Sequence, residues 1–106
     1  MAIRIKAYQF AVNNVGDREA IIVANPNCYL VEIKELPSIS PKQLFRISDV
    51  PTGGEYAEVN AGTPHFFSAP TYRYPGGGSF FEVGEIVGYV ESATGATTFQ
   101  RLEHLV

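Results

Sequence analysis

Between Val59 and Glu103, short runs of aromatic and β-branched residues alternate with turns that contain glycine or proline. Gly62-Thr63-Pro64 and Thr94-Gly95-Ala96 are two of these turns. The runs that predict strands in this part of the chain are Glu55–Asn60, His65–Ala69, Ser79–Val83, Ile86–Ser92 and Thr97–His104. Strands that are separated by tight turns at this spacing are typical of a small antiparallel β-sandwich or barrel.

The first half of the chain adds three strands to this pattern. Ile3, Ile5 and Ala7 alternate with longer polar side chains, which is the period of a half-buried strand. Ala20–Val23 is a short apolar run, and Cys28–Leu36 alternates again. The sequence therefore predicts an all-β fold, a small antiparallel β-sandwich of jelly-roll type with about eight strands.

Residues 40–47 are the one place where a helix could begin. Ser40 is a suitable N-cap, Pro41 suits the first helical position, and Gln43 completes a capping box. These signals favour one short helix or helical turn that packs on the edge of the sheet. A strand over Leu44–Ser48 is the alternative, and the pattern leaves both open.

Size and charge exclude several classes of function. A chain of 106 residues is expected to form a single domain, residues 1–106. The net charge is −3 and the eight basic residues are scattered, which argues against a nucleic-acid partner. No apolar segment approaches the roughly 20 residues that span a membrane, and the first residues lack the continuous apolar stretch of a signal peptide. The only cysteine, Cys28, is expected to be buried and inert.

The residue patterns that catalysis or cofactor binding requires are missing from the sequence. His65 and His104 are the only histidines, whereas a zinc or iron site usually has three or four ligands. The glycine loop Pro75–Ser79 lacks the lysine of a phosphate-binding loop and is expected to be a hairpin tip. We therefore expect no enzyme activity, no catalytic residue, no metal and no cofactor. A small enzyme or a metal-dependent cupin is the alternative that metal analysis would test.

Two segments are candidate protein interfaces. Tyr72, Arg73 and Tyr74 form a proline-bounded loop beside three glycines. Tyr and Arg are enriched at binding hot spots because each combines a large contact area with a polar group. The alternative for this loop is that one tyrosine packs on the core and the arginine is solvated. Tyr8 and Phe10, on the first strand, form the second candidate contact edge.

Four features follow one another toward the end of the chain. They are a glycine-proline turn (Ala61–Pro64), an aromatic strand (Phe66-Phe67), a Phe-Glu-Val-Gly-Glu-Ile-Val-Gly step (Phe81–Gly88) and a Thr-Thr-Phe-Gln strand (Thr97–Gln100). In this order they resemble small virion proteins of tailed bacteriophages. The resemblance implies a capsid decoration (cement) protein, a jelly-roll-like module without catalytic residues that joins neighbouring major capsid subunits.

The same resemblance implies partners and a location. The implied partners are further copies of the chain, as a homotrimer, and the major capsid protein or other virion subunits. The implied location is the virion, which is assembled in the host cytoplasm. The competing class is a carbohydrate- or receptor-binding β-sandwich of a tail fibre or baseplate, in which Tyr72 and Tyr74 would stack on a sugar.

Overall fold

The computed structural model describes residues 4–36, 44–60, 62–69, 79–93 and 95–106. These residues form eight strands and no helix. The strands are β1 (Arg4–Val12), β2 (Glu19–Ile22), β3 (Cys28–Glu35), β4 (Leu44–Ser48), β5 (Ala57–Asn60), β6 (His65–Ser68), β7 (Ile86–Ser92) and β8 (Thr97–Leu105). They build two four-stranded sheets with antiparallel pairing, sheet 1 in the order β1-β8-β3-β6 and sheet 2 in the order β2-β7-β4-β5.

The strand pairs are nested along the chain. β1 pairs with β8, β2 with β7, β3 with β6, and β4 with β5, so the chain is one long antiparallel hairpin. Two further pairings, β3 with β8 and β4 with β7, roll this hairpin into two sheets. Eight strands connected in this way form a jelly roll, and the predicted all-β sandwich of jelly-roll type is confirmed.

The core lies between the two sheets because each strand turns alternate side chains inward. Phe45 of β4 and Phe99 of β8 come from opposite sheets, and their rings meet edge to face with centroids 5.5 Å apart. The other buried apolar residues are Val12, Ile21, Val23, Cys28, Val31, Ile33, Ile47, Phe81, Val90 and Leu105. The expectation that Cys28 is buried is thus confirmed.

The helix predicted near residues 40–47 is wrong where the structure describes it. Leu44–Ser48 forms β4, paired with β5 on one side and β7 on the other, and residues 40–43 lie outside the described residues. Phe45 and Ile47 are both buried, at the period of two that a strand requires. Burial of this apolar pair in the core between the sheets outweighs the local capping signal, because helix propensity is a weak term beside tertiary packing.

The strand predicted over Ser79–Val83 is also wrong, because Ser79 to Phe81 carry no strand pairing and Val83 belongs to a turn. Phe81 is anchored, with its side chain in the core and its backbone N–H donating to the Cys28 carbonyl oxygen at 2.8 Å. Gly84 follows with a φ of 88°, which ends any extended run. The strand count remains eight because β4 takes the place of this segment.

Candidate interaction surface

The loop predicted as the first interface, Tyr72, Arg73 and Tyr74, lies outside the described residues. The second candidate, Tyr8 and Phe10, lies on β1 with both side chains on the face that meets the core. The Phe10 ring stacks on Phe99 with centroids 5.6 Å apart and is partly buried. Phe10 therefore contributes to the sandwich itself.

Tyr8 is also engaged within the chain. The Arg101 guanidinium lies over its ring at 4.4 Å from the centroid, and the Tyr8 hydroxyl accepts a hydrogen bond from Asn25 Nδ2 at 2.8 Å. The predicted strand is thus present, and its inward face is the one that carries Phe10 and Val12. Ile5 lies on the opposite face, where 53% of its surface is exposed.

A buried carboxylate organises the turn beside Tyr8. Glu103 of β8 is fully buried, and its Oε2 accepts the backbone N–H of Ala24 at 2.9 Å. Its Oε1 accepts both the backbone N–H and the side-chain amide of Asn25, at 3.1 and 2.9 Å. Arg101 completes the arrangement with an ion pair of 3.2 Å. Glu103 therefore fixes the β2–β3 turn to the last strand, which is a structural task.

The Cys28 thiol lies near this carboxylate and is protonated at neutral pH. Burial raises its pKa to about 11, and the Glu103 charge adds to the effect. The thiol points to the Leu30 carbonyl oxygen at 3.5 Å. A nucleophilic cysteine needs a lowered pKa, so this thiol has the opposite of the required environment.

The large exposed apolar residues of sheet 1 lie on its outer face, at its two edges. The strand registers place Ala7 beside Leu102, Leu102 beside Glu32, and Glu32 beside Phe66, in one row across four strands. A second row, two residues away along each strand, contains Ile5, His104, Leu30 and Ser68. We call these two rows the sheet 1 outer face. Phe66 and Ile5 are 50% and 53% exposed, so the apolar groups of the surface reach its two edges.

One polar pair lies at the centre of the sheet 1 outer face. His104 Nε2 and Glu32 Oε1 are 3.3 Å apart, and both side chains are largely buried by their neighbours. The Tyr29 ring meets the His104 ring at an angle, with centroids 6.2 Å apart. The surface therefore has apolar side chains around a polar, hydrogen-bonded centre.

A cleft of about 370 Å³ opens beside the edge strands β5 and β6. Its walls are Ile47, Ser48, Asp49, Glu55, Tyr56, Ala57, His65, Phe67 and Val87. The His65 ring packs edge-on against Phe67 at 4.9 Å, and burial lowers the pKa of His65, which keeps the imidazole neutral at neutral pH. Phe67 in turn lies on Gly88, where an added Cβ would come within 3.0 Å of the ring. Tyr56 is 48% exposed, with the Arg46 guanidinium 4.6 Å from its ring centroid.

Arg18 holds the loop that forms one wall of the cleft. Its Nη1 donates to the carbonyl oxygens of Val50 and Gly53, both at 2.8 Å, and to Ser48 Oγ at 3.3 Å. Glu91 lies 3.7 Å from the Arg18 Nε and balances the buried charge. Arg18, which directly precedes β2, thereby binds the loop after β4, although β7 lies between these two strands in sheet 2.

Metal-binding chemistry has no candidate centre in the described part of the chain. His65 and His104 lie on different strands, and no group of three or more His, Cys, Asp or Glu side chains comes together among the described residues. Within the same residues there is no helix with the length and apolarity of a membrane span.

The sheet 1 outer face was missed by the sequence reasoning. A signal for it exists, because Tyr29-Leu30-Val31 and Phe66-Phe67 place apolar residues at adjacent positions of strands. Neighbouring residues of a strand point to opposite faces, so one member of each set must face away from the core. Which of these residues share one surface depends on the strand registers, and these follow only from the fold.

Comparison of the chain with protein-family models, with curated proteins and with solved structures finds no significant match.

Proposed function

We propose that this chain is a non-enzymatic structural protein of a virion, of the capsid decoration type, which binds other capsid subunits and further copies of itself. The observation that carries the proposal is the sheet 1 outer face on a rigid jelly-roll core. A decoration protein needs a stable scaffold and an apolar contact surface, and it stabilises a shell because it binds the assembled state.

The contacts of the sheet 1 outer face support a protein partner. Its apolar groups come from all four strands of one sheet, so the surface is broad and is held by backbone pairing. In the central Glu32–His104 pair, one carboxylate oxygen and one ring nitrogen already contact each other, which lowers the cost of covering these two atoms with another protein. Exposed apolar patches of this kind mark interaction sites.

The test is cosedimentation of the purified chain with empty heads that were assembled without it. We expect saturable binding, and we expect Ile5→Ser with Phe66→Ser to weaken it by roughly tenfold or more. Val15→Ser is the matched control, because Val15 is 54% exposed and lies in the β1–β2 turn, outside this surface. Equal binding of both variants would exclude the sheet 1 outer face, and absence of the chain from purified virions would overturn the proposal.

The cleft beside β5 and β6 supports a second function, carbohydrate binding. Its size falls in the range of small-molecule sites, and it combines the exposed Tyr56 ring with carboxylates at Asp49 and Glu55. An aromatic face can stack on a sugar ring and carboxylates can accept its hydroxyl groups. A glycan that binds the wild-type chain but not Tyr56→Ala would support this function. An array on which the chain binds no glycan would remove it.

A further inference from the structure

The four edge strands of the sandwich differ in length. β1 has nine residues, whereas β2, β5 and β6 have four each. β1 pairs with β8 along its whole length, and no strand of the described residues pairs with its other edge. An unpaired edge presents a row of backbone N–H and C=O groups that can accept a further strand. β1 is therefore the longest open edge of the described sandwich.

β1 also lacks most of the features by which natural edge strands avoid pairing. Such features include short strands, bulges, proline and charged side chains, and of these β1 has only the charges of Arg4 and Lys6. The register of β1 with β8 runs through nine residue pairs without a shift, and the strand contains no proline. The edge strand β2, by contrast, has a register shift between Ile21 and Ile22. The residues from Arg4 to Ala7 are all exposed, which leaves this half of β1 accessible.

The charges of β1 favour one orientation for pairing with a second copy of the same strand. Arg4 and Lys6 are the only charged residues of β1, and both lie in its first half. Parallel pairing in register would place each of them beside its own copy, and like charges in that position are destabilising. Antiparallel pairing places the charged half of one strand beside the uncharged half of the other.

We infer that β1 pairs antiparallel with β1 of a second copy, about a two-fold axis at Tyr8. The inference rests on the proposed function, because it names the contact through which copies associate. The register that uses all nine residues sets Arg4 opposite Val12 of the second copy, and Ala7 opposite its Gln9. The two copies of sheet 1 then form one continuous eight-stranded sheet, and the sheet 1 outer face doubles in area. A two-fold contact closes at two copies, whereas the resemblance implies a trimer.

The test exploits the cross-strand pair of Ala7 and Gln9. Both residues are exposed on β1, and within the chain their β8 neighbours are the uncharged Leu102 and Gln100. Ala7→Lys with Gln9→Lys puts like charges opposite each other on both sides of the two-fold axis. Ala7→Glu with Gln9→Lys puts opposite charges there and is the matched control. Native mass spectrometry and sedimentation velocity over a concentration series measure the association, and urea unfolding shows whether each variant is folded.

We expect a concentration-dependent dimer for the wild-type chain. The Lys-Lys variant should show a rise of roughly tenfold or more in the dimer dissociation constant, and the Glu-Lys variant should remain dimeric. A wild-type chain that is monomeric at every concentration, or trimeric, would overturn the inference. So would equal dimerisation of the Lys-Lys and Glu-Lys variants. Head binding by a wild-type chain that stays monomeric would overturn the inference, leave the capsid contact of the proposed function in place and so separate the two ideas.

Discussion

The carboxylate of Glu103 accepts two hydrogen bonds from Asn25, a residue 78 positions earlier in the chain. One comes from the Asn25 backbone and the other from its side-chain amide, and the backbone N–H of Ala24 adds a third. Arg101 forms an ion pair with the same carboxylate. A turn in the first quarter of the chain is thus held by a charge near its end.

Glu103→Gln should destabilise the fold by about 2–4 kcal/mol, because the amide replaces an acceptor with a donor and leaves Arg101 without its counter-charge. The measurement is the free energy of unfolding in urea. Glu58→Gln is the control, because Glu58 forms a partly exposed pair with Arg46 and such pairs contribute little. A loss of less than about 0.5 kcal/mol for Glu103→Gln would show that the turn does not depend on this charge.

Glu35 predicts a pH dependence of stability. Its side chain is fully buried, with the Thr97 side chain as a hydrogen-bonding neighbour. Burial raises the pKa of Glu35 above its ordinary 4.5, and the Thr97 side chain opposes this only in part. The folded state therefore holds a proton that the unfolded state releases, so the free energy of unfolding falls as pH rises from about 4.5 through the raised pKa.

Glu35→Gln should remove this part of the pH dependence. The amide cannot ionise, so the variant should be more stable than the wild type at neutral pH, and the difference should shrink toward pH 4. Urea unfolding at a series of pH values provides the measurement, with Glu58→Gln again as the exposed control. An unchanged slope in Glu35→Gln would mean that Glu35 is not the group that titrates.

Gly88→Ala should destabilise the protein by about 1–2 kcal/mol. The new Cβ would lie 3.0 Å from Phe67 Cε1 and 3.4 Å from the Ser48 carbonyl oxygen, so the ring must move. The same movement would disturb His65, which packs on that ring. In a double-mutant cycle with Phe67→Leu, the cost of the alanine should be smaller once the ring is gone. If the costs of the two substitutions simply add, the alanine does not destabilise the protein through the Phe67 ring.

Arg18→Lys should loosen the loop after β4 with little change in sheet pairing. A lysine ammonium cannot reproduce the arrangement in which Arg18 contacts Val50, Gly53 and Glu91 together. Hydrogen exchange should rise in residues 50–54, and the free energy of unfolding should fall by about 1–3 kcal/mol. Protection that is unchanged in this segment would show that the loop is held by other contacts. The control is Lys34→Arg, which replaces one basic side chain by another on β3, away from this loop.

The fold class follows from the sequence because turn residues separate strand-forming runs along most of the chain. The errors lie where a local signal and a tertiary contact disagree. Capping residues favour a helix at residues 40–47, but Phe45 and Ile47 are buried as a strand. Aromatic residues favour a strand at Ser79–Val83, but only Phe81 enters the core.

The candidate surface could be predicted only in part, because it depends on register. The sequence singles out Tyr8 and Phe10 on β1, and the structure turns both toward the inside. The outer face of the same strand, with Ile5 and Ala7, becomes a surface only through its alignment with Leu102, Glu32 and Phe66. These neighbours lie tens of residues away, so no local pattern joins them.

The nested pairing of the strands also sets an order on folding. Arg4 of β1 pairs with Leu105 of β8, and β1 has no other partner among the described strands, so sheet 1 cannot close before β8 has been made. Until then β3 also lacks its neighbour β8, and only the β3–β6 pair of this sheet can form. Contacts of such long range slow folding, since a large loop must close before they stabilise it. Among the described strands, β1 therefore waits longest during synthesis for its partner within the chain, because that partner is β8.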